Sequence, residues 1–359
     1  MTNIEDQVKD LANLRKYKLA GRIANKVLNE VIKKCKEGSN TKEICKYGDR
    51  EIIKESKRQN VSGNVGIGFP TCISINNEVG QCVNEKIIKE KDIVKIELGV
   101  HIDGFIAVVG YTLYIKKKKK EEEKKSLEED ERISLEEREE KIKKILKALS
   151  EAGKEIYKNM KPGKTNKKIQ KILESKEEKY ECKIPIYNEE KKIPGIISYQ
   201  ISRNIIDGNN ENEENMHRMI LSKENEKYGY TMQELELEEN EVYIIDIVYG
   251  TTSKIYIEKK DTHIYKKTDI KNELKLRSSK EVMKKFDDKL PKNMEKYSND
   301  GKIRLGIREC INKKVIEEYP ATKTKNNEIV GRIKFTVIVK KEPILICGKS
   351  IDEEIKKLN

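Results

Sequence analysis

Apolar residues at Leu11, Leu14, Ile23, Val27, Val31 and Ile32 fall at helical spacing, which predicts an amphipathic helix over about residues 7–37 that stops at Gly38. Asn40 or Thr41 can cap a second helix reaching about Lys57, with Ile44, Ile52 and Ile53 inward. The period then shortens. Val65–Ile75 is a near-continuous apolar run broken at Pro70 and followed by Asn76-Asn77, which reads as a buried strand. Ile93–Val100 and Phe105–Ile115 are β-branched runs on either side of Asp103-Gly104, a strong hairpin signal. Ser134 to Glu137 forms a capping box for a helix to Met160, with Ile142, Ile145, Leu146, Leu149 and Ile156 on one face and Lys161-Pro162-Gly163 as its stop.

The second half repeats this alternation. A helix is expected over Asn166–Lys179 and a strand-like segment over 193–208. Strands follow at Glu241–Val248 and Lys254–Glu258, extended by His263–Lys266. Helices are expected near Ser279–Leu290 and Lys302–Lys314. A strand pair, Ala321–Ile329 with Arg332–Val339, and a short strand at Ile344–Ile346 close the chain. A faint internal repeat pairs IVKIELG (Ile93–Gly99) with VYIIDIVYG (Val242–Gly250), each placing an acid after an isoleucine. Two polar stretches interrupt the pattern. Residues 116–140 are a charged insertion and 209–229 an acidic surface insertion, both expected to be solvated. The reading is one domain spanning 1–359.

Composition adds one bias. The chain carries a formal charge of +13 with 39% charged residues, well above the usual quarter. A basic surface suits a polyanion, although drift towards lysine-rich codons would produce the same excess. The seven cysteines are scattered with no CxxC, a pattern expected of reduced thiols and not of a zinc ribbon. The charged N-terminal segment is not expected to act as a signal peptide, and no apolar run is long enough to span a membrane.

Several segments carry a resemblance. They are Tyr17-Lys18 with Gly21 and Ile23-Ala24-Asn25, Gly66-Ile67-Gly68-Phe69-Pro70-Thr71, Val94 through Ala107, Ile206-Asp207-Gly208, and Lys334-Phe335-Thr336-Val337. Over about residues 10–350 the chain resembles the proliferation-associated, ErbB-receptor-binding protein family. That family is a non-catalytic branch of the type 2 methionine aminopeptidases. The resemblance implies an α/β (α+β) pita-bread fold, with pseudo-twofold antiparallel sheets flanked by helices. Active relatives hold two metals with about five carboxylate and imidazole ligands, which activate water and polarise the scissile carbonyl. Carried over, the ligand positions are Glu97, Val108, a histidine missing from 194–208, Asp246 and Lys334, and the substrate-side histidine position is Gln81. The resemblance therefore implies no catalytic residues, no metal and no cofactor, and Lys334 is expected to pair with Glu97 and Asp246. His101, His217 and His263 match no ligand position and read as structural or surface residues.

The family implies partners in the large ribosomal subunit, its rRNA and the proteins around the polypeptide exit tunnel. It also implies a monomer away from the ribosome, no membrane, and a place in the cytoplasm and in the nucleus or nucleolus. Candidate RNA contacts are Lys259, Lys260, Lys266, Lys267, Lys271, Lys275, Arg277 and Lys280, with Lys116, Lys117 and Lys118 of the charged insertion. The competing readings are a protein adaptor using the former substrate cleft as a peptide groove, and an active methionine aminopeptidase. Departures from the family are Glu97 in place of aspartate, the extension at 116–140, and no lysine-rich tail before Asn359.

Overall fold

The structure, a computed structural model, describes residues 8–59, 63–116, 129–187, 196–207, 218–226 and 230–358. Asp10 caps helix α1 (Leu11–Lys34), and Asn40 caps α2 (Thr41–Arg58) by accepting from the Lys42 and Glu43 amides. Strands β1 (Val65–Ile75), β2 (Glu78–Gly80), β3 (Ile93–Ile102) and β4 (Phe105–Tyr114) follow, then helices α3 (Glu129–Asn159) and α4 (Asn166–Lys179). The second half supplies β5 (Ile186–Tyr187), β6 (Ile197–Ile201), β7 (Met219–Leu221), β8 (Val242–Gly250), β9 (Lys254–Ile257) and β10 (Ile264–Lys267). It continues with helix α5 (Arg277–Met283), β11 (Lys292–Asn293), α6 (Gly301–Asn312), β12 (Ile316–Tyr319) and β13 (Thr322–Lys323). The last elements are β14 (Val330–Ile338), β15 (Ile344–Cys347) and α7 (Asp352–Lys356).

Among the described residues, the main sheet runs β1-β3-β4-β14-β8-β6-β7, with β15 paired to β14. Its centre is the β4–β14 pair, so β3 and β8 occupy equivalent places on either side, as do β1 and β6. The faint repeat between Ile93–Gly99 and Val242–Gly250 is therefore the sequence trace of a pseudo-twofold fold. Helix α1 packs on β3 and β4, and α3 on β14 and β8. Every residue of β3, β4 and β8 is buried, which explains why these strands read as continuous apolar runs and not as alternating ones. Asp103 and Gly104 both sit at positive φ (52° and 83°), the conformation a two-residue hairpin needs and glycine supplies without strain.

A smaller unit stands apart. Tyr265, Val282, Phe286, Met294, Ile303, Ile307, Cys310, Val315 and Ile316 form their own apolar cluster beneath the sheet β11-β10-β12. Glu309 of α6 accepts from the Lys275 and Leu276 amides and from the Ser279 hydroxyl, tying down the start of α5.

Four expectations need correction. Helix α3 already covers Glu129–Ile133, ahead of the Ser134 capping box, so the last part of the charged insertion is helix; its Glu- and Arg-rich sequence favours that state. The segment 209–229 is not wholly an insertion, since Met219–Leu221 pairs with β6 and extends the main sheet; 209–217 lies outside the described residues. Ala321–Ile329 does not pair with Arg332–Val339. Instead β13 bonds to β2 and β9, and β14 joins β4 and β8, where its apolar face is buried. In the strand-like segment 193–208 only Ile197–Ile201 is a continuous strand; 193–195 and Gly208 lie outside the described residues.

Candidate functional site

The central strands bring one row of residues into register. Glu97 on β3 faces Gly110 on β4, Gly110 faces Lys334 on β14, and Lys334 faces Asp246 on β8. Gly110 leaves the space that Lys334 crosses. A Cβ there would stand 2.9 Å from the Lys334 nitrogen and 3.1 Å from its Cβ. Lys334 Nζ lies 2.5 Å from Glu97 Oε1 and 3.2 Å from Asp246 Oδ2, and 5.7 Å from the centroid of the Phe69 ring. The pairing expected of Lys334 with both carboxylates is present.

A second cation, Arg332, completes the cluster. It lies two residues before Lys334 and so on the same face of β14. Its guanidinium grips Asp246 in a fork, Nε to Oδ1 at 2.8 Å and Nη2 to Oδ2 at 2.5 Å, and Nη1 stands 3.7 Å from Glu97 Oε2. Burial alone would raise the Asp246 carboxyl, but the charges of Arg332 and Lys334 outweigh it and hold the group below the usual carboxylate range. Gly80 makes room for the guanidinium, since a Cβ there would fall 1.7 Å from Arg332 Nη1. Gln81, with its amide turned so that both ends are satisfied, sets its oxygen 3.3 Å from Arg332 Nη2 and its nitrogen 3.2 Å from the Gly80 carbonyl. Periodicity within GRIKFTVIV held the signal for Arg332. Attention to a single ligand position missed it.

The remaining positions are equally unlike a metal site. Val108 is buried opposite Gly99 across the hairpin, its backbone exchanging hydrogen bonds with Thr336. Ser198 of β6 accepts from the Asp246 amide at 2.9 Å. The space left between Lys95, Glu97, Gly110, Arg332 and Lys334 is about 10 Å³, no more than one water requires. Among the described residues no three His, Cys, Asp or Glu side chains converge as a metal site. Two carboxylates, each already held by a cation, and one valine do not fit a pair of divalent ions. No hydrolytic step can be derived from this arrangement.

Neither described histidine belongs to a cluster of three His, Cys, Asp or Glu side chains that could hold a metal. His101 is buried and accepts from the Gly104 amide at 3.3 Å, and His263 is half-buried beside the small unit. His217 lies outside the described residues.

The candidate RNA contacts separate on inspection. Lys259, Lys260, Lys267, Lys271, Lys275, Arg277 and Lys280 are exposed. Lys266 is not: it is buried, its ammonium bound by Asp207 and lying 3.2 Å from Glu317, and so it is withdrawn from the surface set. Asp207 also accepts from the Tyr319 hydroxyl, so the Ile206-Asp207 motif fastens the small unit to the main sheet. Lys116 is exposed and donates to the Lys357 carbonyl at 2.6 Å; Lys117 and Lys118 lie outside the described residues. No helix among the described residues is long and apolar enough to cross a membrane.

Comparison with known proteins matches residues 15–132 to metallopeptidase family M24. The ErbB-3 binding protein 1 of Arabidopsis thaliana is 32% identical over 338 residues, covering 90% of this chain and 77% of that protein. A curved DNA-binding protein of Schizosaccharomyces pombe is 28% identical over 368 residues, covering 98% and 87%. A solved structure of a thermophilic Arx1 superposes with a TM-score of 0.76 over 97% of each chain, at 22% identity.

Proposed function

The chain belongs to the ErbB-3-binding-protein family, a methionine-aminopeptidase-like branch of the M24 fold, and we propose that it acts without hydrolysis, as a metal-free protein that binds the large ribosomal subunit through RNA. The observation that carries the non-hydrolytic half is the row Glu97–Gly110–Lys334–Asp246 with Arg332 beside it. Where the catalytic fold needs two metal ions, this chain places two side-chain cations, and they neutralise the two carboxylates that remain.

The RNA half rests on the basic balance and on the exposed lysines of the small unit. A relative whose name is that of a curved DNA-binding protein also points to nucleic acid. Tyr297 has Lys285 at 4.3 Å and Lys296 at 4.9 Å over its ring, so it does not serve as an open stacking platform. Recognition would fall on backbone phosphates and shape. The cytoplasm is the compartment this proposal places it in, with the nucleus or nucleolus as a further one. The test is co-sedimentation with purified large subunits across a salt series. Binding at physiological salt that falls steeply as salt rises is the expected result, and no binding even at low salt refutes the proposal.

A second reading is a peptide-binding adaptor. It is favoured by a cleft of about 660 Å³, large enough for a short peptide segment, whose wall mixes Ile206, Ile257, Ile270 and Pro320 with charged side chains such as Lys267 and Glu318. Peptide binding insensitive to both salt and RNA would support it.

A further inference from the structure

A second hollow, on the small unit, also has a volume of about 660 Å³ and a different chemistry. Its charged lining consists of Lys259, Lys260, Arg304 and Arg308, with no carboxylate among the residues that form it. The rest of its wall is His263, Thr262, Ser298, Asn299 and tyrosine or aliphatic side chains. Lys259 and Lys260 come from the short turn Lys259–Asp261, and Arg304 and Arg308 stand one turn apart on the exposed face of α6. All four are exposed, and none forms an ion pair among the described residues.

Neighbouring cations are treated differently. Lys42 is bound by Glu295, Lys266 by Asp207, Lys289 by Asp269, Lys292 by Asp287 and Asp288, and Lys323 by Glu258. Glu258 and Glu318 feel Lys260 and Lys259 only at longer range, and Glu258 is already held by Lys323. Asp261, next to Lys260 in the turn, accepts from the Asn84 amide and, like Glu318, does not line the hollow, so four cations gather on one concavity whose lining carries no carboxylate. Burial lowers the pKa of His263, so the histidine offers a neutral polar group there and not a fifth charge. Four unneutralised cations in one hollow repel each other, and a multivalent anion relieves that repulsion.

We propose that this hollow is a site for clustered phosphates, with Arg304 and Arg308 supplying forked donors and Lys259 and Lys260 point charges. It differs from the surface run read from sequence, because Arg304 and Arg308 lie outside that run and only the fold brings them to Lys259 and Lys260. The biological source rests on the RNA-binding reading above, but the site itself does not. The phosphates come from a single RNA strand or from a free polyphosphate, and the two sources are told apart by measurement.

The experiment titrates the full chain with inorganic tripolyphosphate by calorimetry and with a labelled oligouridylate by fluorescence anisotropy. It compares Arg304→Glu/Arg308→Glu with the control Arg15→Glu/Arg22→Glu, two exposed arginines of α1 far from the small unit in sequence and outside every candidate contact set, after melting curves show both variants folded. The expected result is a loss of about tenfold or more in affinity for the hollow variant and a markedly smaller loss for the control. The salt slope for the RNA should also flatten by about 1.4 as two contacts are removed. Competition by tripolyphosphate against the RNA assigns both sources to the hollow, and binding of RNA alone assigns the strand. Equal losses in the two variants, or no loss in the hollow variant, overturn the site. If the hollow variant loses both probes but still pellets with large subunits as wild type does, the site stands and the ribosomal assignment of this face falls.

Discussion

Replacing Lys334 with methionine isolates the electrostatic claim, because methionine keeps much of the length and apolar bulk while removing the charge. In the wild type Glu97 Oε1 has Lys334 at 2.5 Å, whereas Glu97 Oε2 accepts no hydrogen bond among the described residues and has Arg332 Nη1 only at 3.7 Å. The variant leaves a buried carboxylate with no close donor and a cluster carrying one net negative charge. Breaking a buried pair on one side costs about 3–5 kcal/mol, a large share of a typical stability of about 5–15 kcal/mol. The control is Lys340→Met, which breaks a solvent-exposed pair with Glu239 and should cost under about 1 kcal/mol. Urea denaturation of both variants, with Glu97→Gln/Lys334→Met as the compensated double, reads the difference. The double should recover much of the loss, with a coupling of about 1–3 kcal/mol. A Lys334→Met penalty no larger than that of Lys340→Met would refute the reasoning.

Gly80→Ala should push the guanidinium off Asp246, since its Cβ would lie 1.7 Å from Arg332 Nη1; a loss of about 1–3 kcal/mol in urea is expected, and an unchanged midpoint would count against a fixed Arg332. Asp246 has a depressed folded pKa, so its stabilisation is present above the unfolded value of about 3.9 and lost as pH falls through and below it; Asp246→Asn should lose stability at neutral pH and show a flatter acid limb than wild type. Burial pulls the Lys95 amine down to about 7, its Nζ donating to the Asn76 carbonyl at 2.7 Å. The unfolded chain then binds the extra proton between about pH 7 and 10.5, so this residue makes stability rise across that window, by at most about 5 kcal/mol. Lys95→Met should flatten that rise in denaturation midpoints taken from pH 7 to 10.

Much of this fold was legible because its strands are extreme. The Asp103-Gly104 turn between two β-branched runs fixes a hairpin, and the hairpin fixes which residues share a face with Glu97. The place of Val108 was legible for the same reason, since the hairpin register sets it opposite Gly99. Arg332 was overlooked because ligand-by-ligand comparison asks what stands at one position, while the guanidinium reaches in from a neighbouring position through the gap at Gly80. Lys266 was misplaced because lysine in a basic run looks like surface; only the tertiary approach of Asp207 and Glu317 makes burial tolerable. The small edge strands Met219–Leu221 and Thr322–Lys323 owe their state to the strands beside them and carry little local signal.

The most direct measurement is calorimetric titration of the purified chain, stripped with chelator, with manganese and cobalt. Side-chain cations in place of metals predict no binding at micromolar concentrations and no change in melting temperature on chelation or reloading. Two ions bound per chain, with a rise in melting temperature, would contradict the account.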